Sequence, residues 1–284
     1  MGPYIALGPA TPLATHPVPA MASAACSQDL NQLLAGLPSA DWNALRLHLE
    51  WIELPQGSVL YESGEVLRHV YFPVTAVVSL VSSMKDGASA EVAVVGREGI
   101  VGVCAFLGGG CAHSGAVVQR AGHGLRMSAQ AIADQANRSP ALSQLLLGYT
   151  QALLTHMSQT SACHRHHDVD QQLCRWLLLH LDRQPDQELH VTHERIAGLL
   201  GVRREGVTCG ALKLRKAGVI DYRRGRLSVL HREGLEALSC ECYAVVRQAY
   251  ERLSAAATPR QADAHAAELH GLRPMPRRAS LSMV

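Results

Sequence analysis

The sequence predicts an α+β chain built from a small barrel or roll of short strands, one long amphipathic helix, and a basic helix-turn-helix followed by a hairpin. Three observations carry this reading. Short β-branched runs broken by Gly, Pro and Asp-Gly fill the stretch from Leu54 to Ala129. An apolar stripe of helical spacing then begins after Ser139. Finally, residues 191–232 hold ten Lys and Arg against three acids, a local +7 in a chain of net charge +2, which leaves −5 on the remainder. A basic module on a mildly acidic body points to a polyanion partner for that module alone.

Taken in order, residues 1–27 are rich in Pro, Ala and Thr and lack any Lys or Arg, so they read as a loose tail without a secretory or transit signal, with Met21 as a second candidate start. Residues 28–53 look helical, with Ser39 as N-cap before "ADWNALRLHLEWIEL". "LPQGSVLYESGEVLRHVYFPVTAVVSLVSSMKDGASAEVAVVG" and "GAVVQRAGHGLRMSA" supply the strands, so that 28–138 form the roll. Ser139 caps the long helix with Pro140 at its first position, where the missing N–H costs nothing. Leu142, Leu146, Tyr149, Leu153 and Met157 lie on one face of this helix, 139–167. Some of such a stripe could pack on the roll, but a second copy of the same helix is the economical partner, which predicts a two-fold dimer.

The module 168–253 opens with a further helix, "DVDQQLCRWLLLHLDRQ". Ile196, Leu199 and Leu200 mark a short helix after Thr192, Gly201 a tight turn, and Val207, Ala211 and Leu214 the inner face of a second helix from about Arg203 to Lys216. Gly218 ends it, and "VIDYRRGRLSVL" reads as two strands joined at Arg223, Arg224 and Gly225. In such a unit the second helix enters the DNA major groove with its N-terminal residues toward the bases. Arg203, Arg204, Glu205 and Thr208 are therefore the candidates for the groove, and Lys213, Arg223, Arg224 and Arg226 for phosphates. Residues 254–284, with scattered apolar positions and several prolines, read as a second loose tail.

With these residues assembled, the chain resembles the Crp/Fnr family of bacterial transcription regulators over roughly residues 30 to 253. The likeness is strongest in "VTHERIAGLLGVRREGVTCGALKLRKAGVI", which includes Gly201 and the Arg204-Glu205 pair that reads bases in the family. In "LPQGSVLYESGE" and "VYFPVTAVVSLV", Gly57, Gly64 and Glu65 match the family's turn pattern. The resemblance implies a double-stranded β-helix (jelly-roll-like) sensor domain of the cyclic-nucleotide-binding type, a dimerisation helix and a winged helix-turn-helix. It implies a palindromic DNA operator and a second copy of the chain as partners, and it admits RNA polymerase and an unidentified small-molecule effector. Cys209 departs from the best-known members, which carry a further base-reading Arg there, and this leaves the preferred DNA sequence open.

The sensor half departs further. Placing Gly102 on the glycine of the family's ribose-binding Gly-Glu pair puts Val103 at the Glu position, His113 at the phosphate-binding Arg and Ser114 at the following Ser. Valine accepts no hydrogen bond from a ribose, and a neutral His offers no bidentate fork, so cyclic AMP is not expected in the usual mode. Nor is the Fnr-type cluster, since Cys26 is the only cysteine before Cys104.

Other constellations read as structural. "CHRHHDVD" at 163–170 offers metal-ligand types, with Cys163 and His167 on one helical face, but reads as a junction; Cys240 and Cys242 in "CEC" fall on different faces if helical. "LGGGCAHSG" lacks the context of a phosphate loop, and "GREGIVG" supplies turns, with Arg97 and Glu98 exposed or facing the DNA-binding domain. No metal, cofactor or enzyme activity is therefore expected. The scattered cysteines suit a reducing cytoplasm, and no run approaches the ~18 apolar residues of a membrane span. The alternative is a signal- or metal-binding dimer with incidental DNA affinity.

Overall fold

The structure, a computed structural model, describes residues 27–257. Residues 1–26, with Met21 and Cys26, and residues 258–284 lie outside the described residues. Two short helices, α1 (Gln32–Ala35) and α2 (Ser39–Leu45), precede seven strands: β1 (Glu50–Leu54), β2 (Val59–Tyr61), β3 (His69–Pro73), β4 (Val77–Ser83), β5 (Ser89–Val95), β6 (Gly115–Arg120) and β7 (Gly122–Ser128). The strands form two antiparallel sheets, ordered β1-β7-β3 and β2-β6-β4-β5.

The helix predicted over 28–53 is thus corrected. It breaks into short helical pieces and its last four residues enter β1, because "EWIEL" pairs with β7, Trp51 opposite Leu125 and Glu53 opposite His123. Ser39 is the first residue of α2 and Pro38 occupies the cap, with no side-chain hydrogen bond. A helix to which the sequence assigns no element of its own within the roll, α3 (Ala129–Arg138), starts where Ser128 Oγ accepts from the amide of Ala131.

The long helix α4 (Pro140–His166) begins as expected, with Ser139 Oγ accepting from the amide of Leu142. Its predicted stripe does not face a second copy. Leu142, Leu146, Tyr149 and Leu153 are buried in the core of the roll with Phe72, Val78, Ile100 and Leu125, and Met157 packs against the same core. The roll takes the stripe because its own open side would otherwise expose those apolar residues to water. A different stripe is left outside: Leu147 and Leu154, 53% and 54% exposed, with Gln151 and Ser158 between and beyond them.

The remaining elements are α5 (Val169–Leu181), β8 (Glu188–His190), α6 (His193–Leu200), α7 (Arg204–Lys216), β9 (Ile220–Arg223), β10 (Arg226–Val229), α8 (Arg232–Leu238) and α9 (Glu241–Ala257). The last helix runs past the expected boundary at 254 and lies along α4, with Tyr250 and Leu253 against the core of the roll.

The sheet β2-β6-β4-β5 is buried on both faces. Val78, Ala93, Val95 and Val118 point into the roll, whereas Val77, Val81, Val94 and Val117 join a second core with α5, α6 and α7. This two-sided burial explains the near-continuous apolar run of "VVSLV". The basic module is therefore docked on the roll. Ion pairs mark the seam: Glu98 meets Arg183 at 2.7 Å, so Glu98 faces the C-terminal module while Arg97 is exposed.

Candidate nucleic-acid interface

Thr192 caps α6 by accepting the amide of Arg195, and the chain then reverses at Gly201, whose φ of +68° is a left-handed conformation that suits glycine. That turn lets α7 cross α6 with Val207, Gly210, Ala211 and Leu214 buried. Arg203 is the N-cap residue of α7 and makes no capping bond with its side chain. Arg203, Arg204 and Glu205 are all exposed at this N-terminus. Arg204 Nε lies 3.8 Å from Glu194 of α6, and Glu205 starts a stripe of exposed residues continued by Cys209, Leu212 and Lys216.

Thr208 and Lys213, candidates for the groove and for phosphate, each have a partner within the chain. The Thr208 hydroxyl donates to the carbonyl of Arg204 and lies 3.1 Å from Nδ1 of His193, so it is half-buried against α6. Lys213 Nζ lies 2.5 Å from Asp170 of α5, on the flank where Gly210 also approaches that carboxylate. His193 was not singled out from sequence, because nothing in its spacing reveals a tertiary stack. Its ring stacks on Tyr222 at 4.2 Å and thereby joins α6, α7 and the hairpin. Burial, and then the Arg204 charge, lower its pKa, which keeps it neutral.

The hairpin β9-β10 pairs Arg223 with Arg226, leaving Arg224 and Gly225 as a two-residue turn with φ of +49° and +81°. Positive φ at both positions is the type I′ geometry that matches strand twist. Arg224 is the one non-glycine with positive φ among the described residues, and it puts a guanidinium at the hairpin tip. Asp221 holds Arg223 at 2.9 Å and Arg215 at 3.2 Å, while Arg226 is exposed. A third strand, β8, pairs with β10 and was not expected.

In the roll, Gly102 has φ of +102° and leads into a single 3-10 turn, Val103–Ala105. Ser114 is buried, Val103 half-buried and His113 exposed, its carbonyl accepting from the Ser63 hydroxyl. A cleft of about 410 Å³ opens between Leu60, Tyr61, Glu65, Arg68, His69 and Tyr71, and none of the three pocket candidates lines it.

A roll carrying a long helix and docked on a winged helix-turn-helix with an arginine-bearing recognition end defines the class: a DNA-binding regulator with a sensor-type domain. A cyclic nucleotide-binding domain model matches residues 51–139 and a Crp-like helix-turn-helix domain model matches 171–238. The chain belongs to the Crp/Fnr family of transcriptional regulators. Similar folds include a protein from Eubacterium rectale assigned to that family (TM-score 0.59, 15% identity, covering 74% of this chain and 98% of that one). FixK2 from Bradyrhizobium japonicum gives 0.58 at 16% identity over 68% and 98%. The c-di-GMP-responsive global regulator CLP of Xanthomonas campestris gives 0.55 at 15% over 68% and 99%. Among curated proteins no relative matches the sequence. No helix among the described residues is long and apolar enough to cross a membrane.

Proposed function

We propose that the protein is a homodimeric, sequence-specific DNA-binding regulator that reads a palindromic operator and does not use cyclic AMP in the family's usual mode. The observation that carries it is the exposed cluster Arg203, Arg204 and Glu205 at the free N-terminus of α7, off the buried Val207, Ala211 and Leu214 face. Arginines at that end can reach guanine edges and phosphates together. Arg223, Arg224 and Arg226 on the hairpin reach the flanking backbone, and Lys213 contributes only after leaving Asp170. The exposed stripe Leu147, Gln151, Leu154 and Ser158 supports pairing of two α4 helices. In the sequence placement implied by the family, Val103 and His113 take the places of the ribose-binding Glu and the phosphate-binding Arg, and their chemistry argues against cyclic AMP in the usual mode. RNA polymerase and an unidentified small-molecule effector complete the proposed partners, in a cytoplasmic setting.

The test is selection of bound sequences from a random duplex library at two salt concentrations, with and without cyclic AMP. An enriched palindrome with half-sites about one helical turn apart, weakened steeply by salt and indifferent to the nucleotide, is the expected result. Absence of any enriched sequence, or enrichment only with cyclic AMP, would overturn the corresponding half of the proposal.

A further inference from the structure

The two cysteine motifs that sequence spacing kept apart meet at the junction of α4, α8 and α9. Cys240 is not on a helix: it sits in the extended break between α8 and α9, so its thiol is free of the helical divergence expected for Cys240 and Cys242. Cys163 and His167, one turn apart at the end of α4, complete the group. The Sγ atoms of Cys163 and Cys240 are 3.6 Å apart, and Cys242 Sγ is 3.4 Å from His167 Nδ1. All four ligand atoms lie within 4.8 Å of one another.

From these contacts we infer that Cys163, His167, Cys240 and Cys242 form a tetrahedral Cys3His site for a thiophilic divalent cation, with zinc as the fitting ion. Zinc bonds of about 2.3 Å to sulfur and about 2.0 Å to nitrogen set the corners of a tetrahedron about 3.5–3.8 Å apart, close to both contacts above. A polynuclear iron-sulfur cluster needs its thiolates spread more widely. The imidazole is also oriented as a ligand would be: Nδ1 faces the thiols while Nε2 lies 3.3 Å from the Glu241 carboxylate, the outer partner that fixes a metal-bound His. Gln159 donates to Cys242 Sγ at 3.2 Å.

A second observation points the same way. Arg175, 3% exposed, lies near enough for its charge to act on all three thiols, and it takes part in no ion pair among the described residues. Its Nη2 donates to the Thr160 hydroxyl, but its buried Nε has no partner. The one carboxylate whose charge reaches it, Glu91, is held by His180 and Ser79, and a buried guanidinium with no carboxylate of its own is costly. Three thiolates around a dication carry one net negative charge, which balances Arg175. Binding forms three metal–sulfur bonds and one metal–nitrogen bond, releases the thiol protons to solvent and changes no oxidation state. His167 is the residue at which α4 gives way to α5, so the ion would pin the end of that helix to the start of α9.

The experiment is titration of the reduced, metal-stripped full-length protein with Co²⁺ and then Zn²⁺. Expected are one Co²⁺ per chain with thiolate-to-cobalt charge-transfer and tetrahedral d–d absorption, and stoichiometric displacement by Zn²⁺. Cys242→Ser should abolish the bands. Glu241→Gln, at an exposed side chain whose change leaves folding intact, should weaken affinity about 10- to 100-fold. Folded protein without cobalt bands, bands unchanged in Cys242→Ser, or Cys163–Cys240 disulfide formation in protein that binds no metal when reduced would each overturn the inference.

Discussion

Glu91 on β5 and His180 on α5 meet in a buried contact, His180 Nε2 lying 3.1 Å from Glu91 Oε1 and 3.2 Å from Oε2, with the Ser79 hydroxyl donating to the same carboxylate. Both side chains are almost fully buried, between the roll and the helix that leads into the DNA-binding module. Apolar contacts between the two units are non-directional, whereas this polar contact fixes one register of β5 against α5. A change in the roll that moves β5 therefore reaches α5 through a group that tolerates little displacement.

Removing one partner leaves the other buried without it. His180→Ala should cost about 3–5 kcal/mol in urea unfolding, since breaking a buried pair is far costlier than replacing it whole. The double variant Glu91→Leu with His180→Leu should recover much of the loss. Equal destabilisation by the single and double changes would show that the pair is not a unit.

The two arginine groups should separate in DNA binding. Arg204→Ala should cost about 1–3 kcal/mol on the selected operator and relax its base preference, whereas a neutral residue at 224 should weaken all sequences alike and lower the salt slope by about one. Asn is the appropriate replacement at 224, because the position has φ of +49° and Asn tolerates it better than Ala. Competition binding against operator and random duplex at two salt concentrations reads both effects. Equal losses on both duplexes for both variants would refute the division of roles.

His156 makes stability depend on pH. It is buried on α4 beside Tyr250, 3.4 Å from the hydroxyl, and burial lowers its pKa well below the ordinary value, with Arg183 and Arg175 adding to the effect. The unfolded chain takes up a proton near pH 6.5 that the native chain refuses, so the native state loses stability as pH falls below about 6.5. His164, His193 and His69 are lowered in the same direction. Urea midpoints should fall between pH 7.5 and 5.5, and His156→Gln should flatten the curve by up to about 1.4 kcal/mol per pH unit. A parallel pH profile for the variant would rule out His156 as a source.

Much of this was legible in the sequence because local rules agreed there with the fold. Thr192, Gly201, Gly218 and the Arg224-Gly225 turn are punctuation whose chemistry is local, and the helix-turn-helix and hairpin lie where they predict. What could not be read depends on tertiary approach. Gly99 closes the turn read in "GREGIVG", its amide donating to the Gly96 carbonyl, but no local rule shows that a Cβ there would also lie 2.3 Å from the ring of Tyr149. His193 matters through its stack on Tyr222, and Cys240 through a helix break that brings it to Cys163. The stripe on α4 was read correctly as buried and assigned to the wrong partner, because periodicity tells that a face is covered but not by what.

That misassignment leaves the dimer to the other face of α4, and it can be tested there. Leu147 and Leu154 are a heptad apart, with Gln151 between them and Ser158 following, the spacing of a narrow helix-helix seam. Burying a leucine contributes about 1.5–3 kcal/mol, and each leucine occurs twice across a two-fold axis. Leu147→Asp with Leu154→Asp should therefore raise the dimer dissociation constant at least about 100-fold, since 1.4 kcal/mol is a factor of ten. Both side chains are outside the core, so circular dichroism and the urea midpoint of the monomer should hold. Sedimentation should show monomer at concentrations where the parent is dimeric, and operator affinity should fall with it, because one winged helix then reads a single half-site. A variant that remains dimeric would place the interface elsewhere on the chain.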